Sequence, residues 1–413
     1  MNMRALLVAV ALSRYAVVSE GFATRATNVD LGNSNGSKQV PQFHHVLAIL
    51  SMPKNSLDRI ANEAILETAM PAGRKLSVVL RSQGREASLA LLRRYVGEVY
   101  SQLWDIAMED PAGAEKGLPD VVVYPQNLPN TAHESWIHIQ SDLDCVCSHD
   151  CVAGWESTEA TGRGTRYQDS DGKGGLDAYV ASINSDRIAR ELQPVSSLHC
   201  LNWPSVATAE SAEEDFHVVF IDDDEDETPN NLGVGNNDAS LLGGARIEAG
   251  RLFSSVAVGG TFDGLHFGHR KLLSLAVSSV EPVSGKLTVG ITVDEMLTRK
   301  RYAEFIPSLD ERMRGVQEFL FRLAPGMKNN IRLVPISDSF GPPGRSENFD
   351  ALVLSHETLD TGYQLNQHRI ENGMTPLKLL CTRRTEAHGM SSTTLRRLRS
   401  EQEEIEREMS KQL

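Results

Sequence analysis

From Phe253 onward, short apolar runs alternate with longer segments of helical period. The apolar runs are Phe253 to Val258, Leu287 to Thr292, Ile331 to Ile336, Asp350 to Leu354 and Leu377 to Cys381. Helices are expected over about 267 to 279, 309 to 323 and 356 to 371, and a last one begins near Ser391. Such alternation predicts an α/β, Rossmann-like fold, a parallel sheet wound right-handedly with helices on its faces. Ligands of these sheets bind at the carboxyl ends of the strands.

A separate α/β or α+β domain is expected ahead of this region, over 42–221. His45 to Leu50, Leu76 to Leu80, Asp120 to Tyr124, Trp136 to Ile139 and Phe216 to Ile221 read as strands. Leu89, Leu92, Val96, Val99, Leu103 and Ile106 recur every three or four residues, which makes 86–108 a helix with one apolar face. The Gly- and Ser-rich stretch 154–175 reads as a long loop. The acidic run Asp222 to Glu227, then Pro229, paired asparagines and Gly243-Gly244, buries too little apolar area to fold. Residues 222–250 are therefore a solvated linker rather than a metal tract, and the second domain spans 251–410. At the start, Ala5 to Leu12 is apolar after Arg4, and Thr24, Arg25 and Thr27 follow Gly21. Residues 1–25 are read either as a targeting presequence, secretory or organellar, or as a disordered start, with 26–41 as linker. Localisation is accordingly the cytoplasm or an organelle.

A length of 413 residues suits two cores. The net charge of −14 argues against a broad nucleic-acid footprint. No apolar run is long enough to span a bilayer. Five cysteines do not make a disulfide scaffold. Cys145, Cys147, His149 and Cys151 crowd four possible ligands into seven residues, without the loop that zinc needs between ligand pairs. That stretch is read as a loop without metal. Gly162-Arg163-Gly164 and Gly172 to Gly175 do not fit GxxxxGK[ST] and read as flexible loop.

Two motifs carry chemistry. Gly259-Gly260-Thr261-Phe262-Asp263-Gly264-Leu265-His266-Phe267-Gly268-His269 follows the first strand of the second domain. Its glycines let backbone N–H groups approach an anion, and its histidines share the first turn of a helix. Far along the chain, Ser391-Ser392-Thr393-Thr394-Leu395-Arg396 opens the final helix. One N-cap needs one hydroxyl; several hydroxyls at the positive helix end suit a polyphosphate.

Together these segments resemble the HxGH nucleotidyltransferase superfamily, and within it the eukaryotic type of phosphopantetheine adenylyltransferase. The resemblance extends to Gly290 through Lys300, Pro307 to Arg312, Asp338 to Gly344, Leu354 to Thr358 and Leu365 to Gly373. It implies transfer of the adenylyl group from ATP to the phosphate of 4′-phosphopantetheine, with Mg²⁺ arriving on ATP and no dedicated protein cage for it. It also implies the roles. Thr261 hydrogen-bonds a reacting phosphate, and His269, with His266 beside it, attends the ATP phosphates. Gly259 and Gly260 line the phosphate turn. Lys300 bridges the substrates, although Thr298 stands where relatives often have Lys, so Arg299 and Arg301 stay in contention. Ser391, Ser392, Thr393 and Arg396 hold the β- and γ-phosphates, and Asn366 and Arg369 lie near the substrate groove. Asp263 is expected to close its turn by accepting backbone N–H groups.

The rivals are a nicotinamide-mononucleotide adenylyltransferase, a cytidylyltransferase, a class I tRNA-synthetase fragment and a catalytically silent nucleotide-binding module. Gly341-Pro342-Pro343-Gly344 and Ser355-x-Glu357-Thr358 favour pantetheine, and intact His269 and Ser391 to Thr393 favour catalysis. No P-loop follows residue 400, so the expected product is dephospho-coenzyme A, with a separate kinase needed downstream. Oligomeric state is open.

Overall fold

The computed structural model describes residues 43–53, 56–81, 89–109, 118–126, 130–149, 156–157, 165–166, 175–200, 251–382 and 391–412. Residues 1–42, most of 154–175, Phe216 to Ile221, 222–250 and Cys151 therefore lie outside the described residues, as do the readings made on them.

The first half builds a sheet from β1 (Phe43–Ser51), β2 (Gly73–Arg81), β3 (Asp120–Pro125), β4 (Cys145–Ser148) and β7 (Ser196–His199). Helices α1 (Ser56–Ala72), α2 (Leu89–Glu109), α3 (Glu134–His138) and α4 (Leu176–Ala189) connect them. A two-stranded pair, β5 (Glu156–Ser157) and β6 (Thr165–Arg166), stands apart. All ladders of the main sheet are parallel, in the order β3-β2-β1-β4-β7. The second half repeats the plan with β8 (Ser255–Gly260), β9 (Lys286–Thr292), β10 (Ile331–Ile336), β11 (Ala351–Ser355) and β12 (Lys378–Thr382). Its helices are α5 (Phe267–Ser278), α6 (Leu309–Leu323), α7 (Leu359–Glu371) and the long α8 (Ser392–Gln412). Its order is β10-β9-β8-β11-β12, again all parallel. In chain order within each half, both sheets read third, second, first, fourth, fifth.

Local chemistry explains the elements. Ser308 and Glu311 form a reciprocal capping box at the start of α6. That helix buries Val316, Phe319, Leu320 and Leu323, each contributing about 1.5–3 kcal/mol of transfer free energy. β1 is buried from His45 to Ser51 because helices cover both faces of a parallel sheet.

Two expectations are corrected. Trp136 to Ile139 is not a strand; Glu134–His138 is a short helix whose first turn is capped by His133, Nδ1 accepting from Ser135 N at 3.2 Å. Cys145 and Cys147 are not in a loop. They lie on β4, fully buried, and burial pushes the Cys145 thiol up to about 12 and that of Cys147 well above its usual range. Among the described residues, no group of three or more His, Cys, Asp and Glu side chains is placed to hold a metal ion. No helix among them is long and apolar enough to cross a membrane.

The two sheets share one continuous apolar core. Polar ties cross between them as well. Asp120 on β3 accepts from Arg270 of α5 at 2.7 Å and from Arg322 of α6. Asn130 donates to the carbonyl of Val280 at 2.7 Å, and Arg93 to that of Ser278 at 2.7 Å.

Candidate active site

In the second sheet the strand order reverses between β8 and β11, which opens a crevice at their carboxyl ends. A cavity of about 390 Å³ lies there. Gly259, Gly260 and Thr261 arrive from β8, Ser355 to Thr358 from β11, and Thr382 from β12. His266, Gly268 and His269 come from the start of α5, Ser391 to Thr393 and Arg396 from the start of α8, and Lys300 and Arg301 from the segment after β9.

The turn between β8 and α5 is tight. Phe262 takes φ 53 and Gly264 φ 66, left-handed conformations that suit glycine and strain phenylalanine. Burial of the Phe262 ring holds it there. The turn delivers His266 as the N-cap of α5, with Nδ1 accepting from Gly268 N at 3.1 Å. A ring nitrogen that accepts carries no proton, so the proton of neutral His266 resides on Nε2. Nε2 lies 2.9 Å from Ser392 Oγ and donates to it. Because Ser392 Oγ accepts that bond, its own O–H is left to donate elsewhere, and Ser392 borders the cavity.

His269 stacks on His266, ring centroids 4.0 Å apart and planes 30° apart. Burial first, then the Arg270 and Arg396 guanidinium groups, lowers the His266 pKa to about 4. Burial, then His266 and Lys300, holds His269 well below the usual histidine value. Both rings are therefore neutral near pH 7. His269 Nδ1 is buried with no hydrogen-bond partner among the described residues, which leaves Nε2 as the nitrogen to meet a ligand.

Lys300 donates from Nζ to Thr261 Oγ1 at 2.9 Å. Its pKa is lowered by partial burial and by Arg396. Of the three cations left open by the sequence, Lys300 and Arg301 border the cavity and Arg299 does not.

Some residues are placed differently from expectation. Asp263 does not close its own turn; it forms a buried ion pair with Arg396, each only 3% exposed. Arg396 donates further to the Arg301 carbonyl at 3.0 Å and to Thr393 Oγ1 at 3.0 Å. Its guanidinium thus ties three segments of the cavity wall together. Ser391 serves as the N-cap of α8, accepting from Thr393 N at 3.2 Å. Asn366 and Arg369 are not part of the cavity lining. Asn366 brackets Leu377, donating to its carbonyl at 2.9 Å and accepting from its N–H at 2.8 Å. Arg369 donates to the carbonyls of Thr375, Pro343 and Ser346. Both are buried struts whose hydrogen bonds go to the backbone.

Arg312 was not singled out from sequence. Only 3% exposed, it donates to the carbonyls of Thr261 and Thr292 at 2.8 Å each and to Asp294 at 2.5 Å. It pins together the carboxyl ends of β8 and β9. An Arg in the first turn of a helix carries no local sign of such a role, because its acceptors are distant carbonyls.

In sum the wall combines neutral imidazoles, hydroxyls, a lysine and a helix N-terminus, a donor-rich surface suited to phosphate oxygens.

Comparison with known proteins agrees with this chemistry. Residues 257–398 match the cytidylyltransferase-like family. The phosphopantetheine adenylyltransferase of Saccharomyces cerevisiae is 40% identical over 153 residues, which is 35% of this chain and 48% of that protein. Those of Methanopyrus kandleri and Pyrococcus abyssi are 32% and 36% identical over 128 and 132 residues, each covered over 77% of its length and matching 31% of this chain. The chain thus spans about half the length of the yeast relative and most of the archaeal ones. With its HxGH turn and its hydroxyl-rich helix start meeting at one cavity, the chain belongs to the phosphopantetheine adenylyltransferase family of cytidylyltransferase-like nucleotidyltransferases.

Proposed function

We propose that this protein transfers the adenylyl group of ATP to the phosphate of 4′-phosphopantetheine. A phosphate oxygen of phosphopantetheine attacks the α-phosphorus of ATP, the bond to the β-phosphate oxygen breaks, and pyrophosphate leaves with dephospho-coenzyme A as the other product. The 2.9 Å bond between His266 and Ser392 carries the reading, because it joins motifs 126 residues apart into one donor surface. The names of the yeast and archaeal relatives support the choice of acceptor.

A phosphate monoester has its second pKa near about 6, so the nucleophile is ionised without a general base. The protein has to position two polyanions and to stabilise the charge that grows on pyrophosphate. Neutral His269 donates through Nε2, Ser392 through its hydroxyl, and the free N–H groups of α8 add their dipole. Lys300 with Thr261 bridges the acceptor phosphate and the α-phosphate. Among the described cavity residues Glu357 is the single carboxylate. With one carboxylate in that set, the reading has Mg²⁺ enter with ATP as part of the substrate.

The test is incubation with ATP and either 4′-phosphopantetheine or nicotinamide mononucleotide while pyrophosphate is followed. Release only with phosphopantetheine supports the proposal; release only with nicotinamide mononucleotide replaces it. Adding dephospho-coenzyme A and ATP tests the further expectation that a separate kinase completes coenzyme A, and ADP formation would end it.

A further inference from the structure

The first sheet has no HxGH turn, yet one of its helices reaches the site. Along α2, Gly97, Tyr100, Ser101 and Trp104 recur at helical spacing and form a stripe toward α5. The Trp104 ring lies 6.0 Å from the His266 ring at 54°, and meets Phe267 edge-on at 6.5 Å. Tyr100 lies 6.4 Å from Phe267. Lys271, which borders the cavity and is only 7% exposed, donates to Ser101 Oγ at 3.2 Å. Its stem passes so close to Gly97 that a Cβ there would sit 3.1 Å from Lys271 Cε.

We propose that α2 of the first sheet is the back wall of the adenylyl-transfer site, with Trp104 positioning His266 and Ser101 positioning Lys271. The aromatic stack runs from Trp104 through His266 to His269, and His266 in turn holds Ser392. A tilt of the His266 ring moves both donors aimed at phosphate. The Trp104 side chain is fully buried, and its Nε1–H has no acceptor among the described residues. A leucine would leave no buried donor unsatisfied there, but its shorter side chain lacks a ring to set against His266. Lys271 adds a cation whose stem is confined by Gly97 and whose ammonium is held by Ser101. The first sheet thereby supplies what the second sheet lacks behind its catalytic helix.

The kinetic part rests on the adenylyl-transfer reading; two further readouts do not. In the full-length protein, Trp104→Leu is expected to lower kcat tenfold or more, with KM for ATP within threefold, and Trp104→Phe to recover most of that loss. The His266 imidazole, followed by NMR, is expected to titrate closer to 6.5 in Trp104→Leu. Ser101→Ala is expected to raise KM for ATP threefold or more with little change in kcat. Val99→Ala, equally buried on the opposite side of α2, is expected to lower stability without moving kcat or the His266 titration. A folded Trp104→Leu with wild-type kcat and unchanged His266 titration overturns the proposal, as does Val99→Ala matching its loss of kcat. If Trp104→Leu does not fold, Ser101→Ala decides, and an unchanged KM rejects the wall. If the wild-type protein releases no pyrophosphate with phosphopantetheine, the functional reading fails; the His266 titration and the affinity for ATP alone then judge the positioning.

Discussion

At the scale of single residues, the site works by withholding charge from its histidines. Burial and neighbouring cations keep His266 and His269 neutral, so neither competes with Lys300 for counter-charge, and His266 donates one oriented hydrogen bond to Ser392. His269→Ala is expected to lower kcat by about two orders of magnitude, the size of effect seen when one preorganised donor is removed; steady-state kinetics at saturating ATP checks this. The same pKa shifts fix a pH dependence. The unfolded chain binds protons on these histidines near 6.5, whereas in the folded chain His266 does so only near 4 and His269 only well below the usual histidine value. Stability linked to the pair is complete above about pH 6.5 and falls as pH drops toward 4, because there the unfolded state binds more protons. Denaturant midpoints measured between pH 7 and 4 should decline, and should decline less in a His266→Gln variant. Asp263→Ala strands Arg396 in the interior without its carboxylate, an expected loss of about 3 kcal/mol, read from chemical denaturation.

At the scale of elements, sequence patterns read well where periodicity was long and badly where it was short. The helix at 309–323 coincides with α6 and the strand at 331–336 with β10, since each carries several repeats of one period and a clear boundary. Trp136 to Ile139 misled because a few consecutive apolar residues fit strand and helix equally well, and the His133 cap decided for helix. Helix α1 escaped notice because alanines carry much of its buried face: Ala61, Ala64, Ala69 and Ala72 are buried beside Ile65 and Leu66. Packing between elements is tight where α7 crosses β11. A Cβ on Gly362 of α7 would sit 2.4 Å from Leu354 Cδ1 of β11. Gly362→Ala is expected to cost about 1–3 kcal/mol through overpacking, despite the better helix propensity of alanine, and a thermal melt would show it.

At the scale of the whole molecule, two sheets with the same strand order are joined by one core and by charge. Asp120 on the edge strand of the first sheet holds Arg270 and Arg322 of the second, flanking the α2–α5 contact behind the HxGH turn. Shared core and shared ion pairs couple the halves, so calorimetry is expected to record a single unfolding transition. Two resolved transitions would show that the halves unfold independently and would weaken the role given to α2. Repetition of the same plan also fits the division of labour, with one sheet carrying the donors and the other buttressing them.

What the sequence by itself determined was local: where strands and helices alternate, that glycines and histidines follow β8, and that hydroxyls open α8. These follow from side-chain period, turn conformation and capping, which act over a few residues. Only the tertiary structure decided that Asp263 belongs to Arg396, that Asn366 and Arg369 serve backbone, that Arg312 pins two strand ends, and that Trp104 lies behind His266. Each is a pairing across long sequence separations. Which partner a buried polar or aromatic group finds depends on strand order and on the exclusion of water, and neither is written in any one segment.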